Sequence, residues 1–158
     1  MSWPRIVRVQ LYYAELPLKE PFTIALGTST SSWNLAVRVV TENGVEGWGE
    51  GSPSYMVLGE TRSSAIACGK SLAAQLVRLD DPSMEHLYEL CRSASSPSAA
   101  AAVEEAVLDA WAKESGVSVA RLLGGPYRSS IETDITIGIM DPEEQAIRAV
   151  KHVEEGFR

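Results

Sequence analysis

Lysine is scarce in this 158-residue chain, and no run of basic residues occurs anywhere in it. The formal charge is −7 at neutral pH. The clustered Lys and Arg that grip nucleic acid or an anionic membrane are missing, so neither is an expected partner. Long hydrophobic runs are missing too. Nothing approaches the ~20 apolar residues of a membrane span, and the opening MSWPRIVRVQ carries neither the apolar segment nor the small-residue cleavage site of a secretory signal. Cysteine is limited to Cys68 and Cys91, which lack metal-ligand spacing and read as buried free thiols rather than a disulfide. His86 and His152 have no nucleophile or ligand partner near them and are assigned no role. What remains is a soluble, acidic, cytoplasmic chain. With 45% hydrophobic and 22% charged residues, it can bury one core of ordinary domain size.

What is present is a change of period. In RIVRVQLYY, Val7, Val9, Leu11 and Tyr13 share one face and Arg8, Gln10 and Tyr12 the other, the alternation of a half-buried strand. NLAVRVVTE repeats it with Leu35, Val37 and Val39, then meets Asn43-Gly44, a two-residue hairpin signal. VEGWGEGS supplies a third strand, in which Gly47 and Gly49 require another backbone to approach closely. Between the first two strands, ELPLKEPFTIALGTSTSSW reads as a long functional loop, and SPSYMVLGE after the third strand as a second irregular stretch.

From Glu60 the period becomes 3.6. One helix carries Ala65, Ile66, Leu72, Ala73, Leu76 and Val77. Asp81-Pro82 opens a second, presenting Met84, Leu87 and Leu90 or Cys91. Ser96-Pro97 opens a third, rich in alanine, which Gly116 stops. A short capped helix, SVARLLGG, precedes the break at Gly124-Gly125-Pro126. Residues 1–126 thus form an α+β domain, a three-stranded antiparallel meander followed by helices. Residues 127–158 start afresh as one strand-helix unit. IETDITIGI alternates with Ile131 to Ile139 on one face, and Asp141-Pro142 begins a helix with Ala146, Ala149, Val150 and Val153 on its stripe.

ENGVEGWGEGSP, AAAAVEEAVLDAWAKESGVSVARLLGG and IETDITIGIMDPEEQAIRAVKHVEEGFR together resemble the enolase superfamily, the mandelate racemase and muconate lactonizing enzyme group. TDITIGIMDPEE is most similar to its dipeptide epimerases, which include L-Ala-D/L-Glu epimerase. The resemblance implies an N-terminal capping domain followed by the first β/α unit of a truncated (β/α) barrel. It also implies removal of an α-proton, with Mg2+ stabilising the enediolate and two lysines on opposite faces of the α-carbon. One of those lysines belongs to a K-x-K strand. This chain has four lysines, Lys19, Lys70, Lys113 and Lys151, and no K-x-K. Lys113 and Lys151 read as solvated helix residues. A barrel domain takes ~250 residues, so the expectation is the front piece of a longer enzyme, inactive alone and binding no Mg2+ itself.

The same resemblance makes FTIALGTSTSSW and SPSYMVLG the lids that recognise a small-molecule substrate, a dipeptide or related carboxylate. It places Ile24, Gly27 and Tyr55 near the substrate side chain, with Thr136 facing the barrel mouth. Each has a plainer reading: Ile24 packs under its loop, Gly27 serves a turn, Tyr55 is a surface aromatic and Thr136 fills a barrel layer. Glu-directed epimerases of the group carry an arginine where Gly27 stands, which favours a neutral or apolar dipeptide here. Glu50 reads as a carboxylate satisfying loop amides, and Glu104, Glu105 and Asp109 as capping or interdomain hydrogen-bond partners. Two further readings stay open. One is a fragment of another superfamily member, of muconate cycloisomerase or o-succinylbenzoate synthase type. The other is a non-catalytic binding or assembly module. The apolar face of Ile131 to Ile139, left unpaired, predicts a homo-oligomer.

Overall fold

The computed structural model describes residues 3–158. The elements run β1 (Ile6–Ile24), β2 (Gly27–Thr41), β3 (Glu46–Gly51), α1 (Tyr55–Leu58), α2 (Arg62–Leu76), α3 (Met84–Arg92), α4 (Pro97–Glu114), α5 (Val119–Leu122) and α6 (Pro142–Glu154). The strands form one sheet ordered β1-β2-β3, with β2 antiparallel to β3. Helices follow strands, as α+β segregation requires. The chain divides into two compact units. One takes the chain up to Leu16 and Trp33–Gly125; the other takes Pro17–Ser32 and Pro126–Arg158.

The first unit is organised around α4, which packs directly on the backbone of β3. Gly47, Gly49 and Gly51 stand opposite Val39, Val37 and Leu35, whose side chains are fully buried. A Cβ on Gly47 would lie 2.0 Å from the Ala106 carbonyl oxygen, one on Gly49 2.1 Å from that of Ala102, and one on Gly51 2.1 Å from that of Ser98. The two periods match. Two strand residues advance about 6.6 Å and four helix residues about 6 Å, so a G-x-G-x-G strand tracks a helix that is small at every fourth position. Two side chains of α4 then satisfy the strand: Glu105 accepts from the Glu50 N–H at 3.1 Å and Asp109 from the Trp48 N–H at 2.9 Å.

Trp111, also on α4, is the largest buried side chain. Its indole N–H donates to the Pro4 carbonyl at 3.0 Å, and its ring stacks on Trp3 with centroids 4.8 Å apart. Leu72 and Leu76 of α2 and Leu87 of α3 complete this core with Ile6. At the start of α4, buried Glu60 accepts from the Ser96 hydroxyl at 2.6 Å, the Ser98 N–H at 3.1 Å and the Ser98 hydroxyl at 2.5 Å. Burial works to raise its pKa, but these hydrogen bonds outweigh burial and hold the carboxyl below its usual range. Cys68 and Cys91 are buried free thiols, and burial, with help from Glu104 and Cys68, pushes Cys91 up to about 12.

Several expectations are corrected. The long loop between the first strands is a continuous strand pair, turning at Ala25-Leu26. Pro17 and Pro21 are tolerated because β1 lies at the sheet edge, where a missing N–H costs little. SPSYMVLGE contains a helical turn, α1, with Ser54 capping its start and Gly59 at φ 68 ending it. α3 begins not at Asp81-Pro82 but after Ser83, whose hydroxyl accepts from the His86 N–H. At Asn43-Gly44 only Gly44 has positive φ, at 84, and the turn closes through Thr41, which accepts from Gly44 N–H and donates to Val45 O. On β1, Ile6 is buried and Val7 exposed, so the alternation slips between Ile6 and Val9.

In the second unit, residues 131–139 do not form a strand. The alternation of IETDITIGI is there, but a parallel barrel strand needs partners along both edges. The backbone contact observed is Ile139 N–H to the Thr23 carbonyl, at 2.7 Å. α6 does form as expected, capped by Asp141 with Pro142 in its first turn.

Candidate functional site

The second unit holds the tip of the β1–β2 hairpin, the segment leading to α6, and α6 itself. At the tip, the Thr23 and Thr28 hydroxyls hydrogen-bond at 2.9 Å across the Ala25-Leu26 turn. Gly27 begins β2 at φ 140, a backbone conformation that side chains resist. Ile24 and Gly27 are both half-buried. Beside the tip runs the segment carrying Thr136, which is exposed, and Gly138, which is buried. A Cβ on Gly138 would lie 3.1 Å from Thr23 O and 3.3 Å from the Phe22 ring. The Gln145 side-chain amide donates to Gly138 O at 3.0 Å, tying the segment to the first turns of α6.

Ile24, Gly27 and Thr136 therefore share one unit, with Thr23 and Gly138 in contact between them. Tyr55 belongs to the other unit, where it opens α1 and is 74% exposed. Residues missed in the sequence are Glu20, Gly138, Gln145 and Arg148. Arg148 grips Glu20 with both guanidinium ends, one contact at 2.8 Å, and reaches Glu144 at 3.4 Å. The paired guanidinium, with Lys151 and His152 beyond it, holds the Glu20 carboxyl below its usual range, and Arg148 is raised in turn. No lysine or arginine occurs from Glu20 to Val37; beyond Lys19 and Glu20 the tip carries hydroxyl and apolar side chains. A cleft elsewhere in this unit is lined by Glu132, Thr133, Asp134 and the chain end from Glu155 to Arg158, without Thr136.

The other candidates are structural. Glu50 accepts from the Asn34 side-chain amide. Glu105 and Asp109 serve β3, Lys113 pairs with Asp109 at 2.6 Å and Lys151 with Glu155 at 3.8 Å. Among the described residues no three His, Cys, Asp or Glu side chains converge on a point that would hold a metal ion. The described residues therefore do not fit Mg2+. No helix among the described residues is long and apolar enough to cross a membrane.

The model of the mandelate racemase / muconate lactonizing enzyme N-terminal domain matches residues 6–124. The chain belongs to that family, within the enolase superfamily. It is 39% identical over 155 residues to the L-Ala-D/L-Glu epimerase of Thermotoga maritima, covering 98% of this chain and 45% of that protein. It is 35% identical to the hydrophobic dipeptide epimerase of Enterococcus faecalis, over 97% of this chain and 44% of that one. The crystal structure of an Enterococcus faecalis dipeptide epimerase with Mg and L-Leu-L-Tyr superposes with a TM-score of 0.87 at 32% identity, covering 97% of this chain and 44% of that one. The chain thus spans under half the length of these relatives. The similarity runs over nearly the whole chain and includes the N-terminal domain at residues 6–124.

Proposed function

We propose that this chain is the substrate-recognising front part of a dipeptide epimerase that works in the cytoplasm and acts on dipeptides with a neutral or apolar side chain. The observation that carries the reading is the similarity to dipeptide epimerases across nearly the whole chain. In this reading residues 127–158 are the first β/α unit of a barrel. The exposed Ile147, Val150 and Val153 of α6 support it, since neighbouring barrel elements would cover that face. Ile24, Gly27, Tyr55 and Thr136 line the substrate side chain, exclude water and set its position. The base, the acid and the Mg2+ ligands come from residues this chain does not contain.

The lack of any cation from Glu20 to Val37, with Lys19 the nearest along the hairpin, supports the preference for neutral side chains. A carboxylate substrate is best held by a free arginine fork, but the arginine tied to the tip, Arg148, is already occupied by Glu20 and Glu144. The test is a chimaera in which this chain replaces the matching 45% of the Thermotoga maritima enzyme. Proton NMR in deuterium oxide with Mg2+ would show loss of the α-proton signal of L-Ala-L-Leu. A folded chimaera that exchanges no dipeptide would overturn the reading.

A further inference from the structure

An open strand edge offers its N–H and C=O groups to any strand that comes alongside, including the same edge of a second copy. The sheet has two such edges, β1 and β3. β1 carries Pro17 and Pro21, whereas β3, EGWGEG, has no proline. Its edge is met by α4 instead. The Glu50 N–H donates to Glu105 at 3.1 Å and the Trp48 N–H to Asp109 at 2.9 Å, while the Lys113 ammonium donates to the Glu46 carbonyl at 3.1 Å. Residues two apart along a strand turn their backbone groups to the same side, and these three turn theirs toward α4. The helix side matches in spacing. Glu105, Asp109 and Lys113 are four residues apart, about 6 Å per step, and lie beside the stripe of Ser98, Ala102 and Ala106 that seats the glycines. One stripe packs the face of β3 and the next hangs over its edge. The signs match as well, with carboxylates at the two N–H groups and the ammonium at the carbonyl. Lys113 also holds Asp109 at 2.6 Å, which ties two of the three rungs together.

We propose that Glu105, Asp109 and Lys113 guard the β3 edge: by occupying its outward N–H and C=O groups, they keep a second copy of this chain from pairing its own β3 alongside. Without them, two copies of β3 meet antiparallel about a two-fold axis and join their three-stranded sheets into one. The hydrogen bonds do this, not the charges alone. The guard does not depend on the function proposed above.

The test compares the 158-residue parent with Glu105→Ala/Asp109→Ala, with each single alanine variant and with Glu105→Gln/Asp109→Asn. Sedimentation over a concentration series reads self-association, and amide hydrogen exchange at 46–51 reads where it occurs. The alanine pair self-associates about tenfold or more tightly than the parent, and its exchange at 46–51 slows as concentration rises. The side-chain amides of Glu105→Gln/Asp109→Asn still accept from the strand, so that protein behaves as the parent does. Glu50→Pro added to the alanine pair removes an outward N–H and returns sedimentation to the parent's. Near-ultraviolet circular dichroism of the Trp3–Trp111 stack reports the fold. Where the alanine pair has lost it, the single variants, each missing one cap, decide by the same measurements. Sedimentation unchanged from the parent in folded alanine variants overturns the proposal. So does association without protection at 46–51, association that survives Glu50→Pro, or equal association in Glu105→Gln/Asp109→Asn. A fold lost in every alanine variant assigns these side chains to holding α4 on β3 and overturns it too.

Discussion

Replacing Gly49 with alanine tests the packing on which the capping domain depends. The new methyl would sit 2.1 Å from the Ala102 carbonyl oxygen and 2.6 Å from the Ala106 N, both backbone atoms of α4 that no rotamer change can move. Ordinary contact begins near 3.4 Å, so α4 must recede by more than 1 Å. Overpacking of this kind costs about 1–3 kcal/mol. A gap of that size along the rest of the interface forfeits a quarter to half of its dispersion energy. The Glu105 and Asp109 hydrogen bonds to β3 stretch as well, at about 1.5–3 kcal/mol each if broken. The sum is about 4 kcal/mol or more, a large part of the 5–15 kcal/mol typical of a domain. At about 3 °C per kcal/mol, Tm falls by about 12 °C. The control is Gly44→Ala, where φ is 84 but nothing lies within 4 Å of the new Cβ. It pays only the left-handed backbone penalty of about 1–2 kcal/mol. Urea and thermal unfolding followed by circular dichroism measure both. A Gly49→Ala protein within about 0.5 kcal/mol of the parent, or less affected than Gly44→Ala, would refute the reasoning.

Other outcomes follow from the same core. Glu60→Ala leaves two buried hydroxyls and an N–H at the start of α4 without their acceptor, costing about 2–4 kcal/mol in urea unfolding. The Glu60 carboxyl titrates lower folded than unfolded, so its stabilisation is present above the ordinary carboxylate range and is lost as pH falls through the depressed value; the Glu60→Ala protein shows a shallower acid loss in a pH series of melts. Trp111→Phe removes the bond to Pro4 O and part of the Trp3 stack, lowering stability by about 2–4 kcal/mol in the same assay. Cys91, buried with its thiol pushed up to about 12, reacts with a thiol reagent only when the protein unfolds, so its labelling rate tracks urea concentration.

The elements most legible in the sequence were those whose partners are local or periodic. Gly47 and Gly49 announced a close backbone, and the small residues of α4 announced close packing, but that each is the other's partner came only from the structure. Ser96-Pro97 and Gly116 bounded that helix because capping is a short-range matter. The hairpin was not legible. Pro17, Pro21 and a run of serines and threonines read as loop, and only the edge position of β1 makes prolines harmless there. The strand expected at 131–139 failed for the opposite reason, since its alternation is intact but pairing partners are needed to turn a pattern into a ladder. Of the candidate site residues, Ile24, Gly27 and Thr136 came from resemblance to the family. Their support did not, because Glu20 and Arg148 are 128 residues apart and no local pattern links them.

The most direct test of the account is the specificity of the chimaera with the Thermotoga maritima barrel, measured as kcat/KM for L-Ala-L-Leu against L-Ala-L-Glu. The account predicts that the apolar dipeptide is preferred. It also predicts that Gly27→Arg raises the acidic dipeptide's value about 10-fold or more over Gly27→Gln, which carries the same backbone strain at φ 140 without the charge. A chimaera that prefers L-Ala-L-Glu with Gly27 in place, and is indifferent to arginine there, would contradict it.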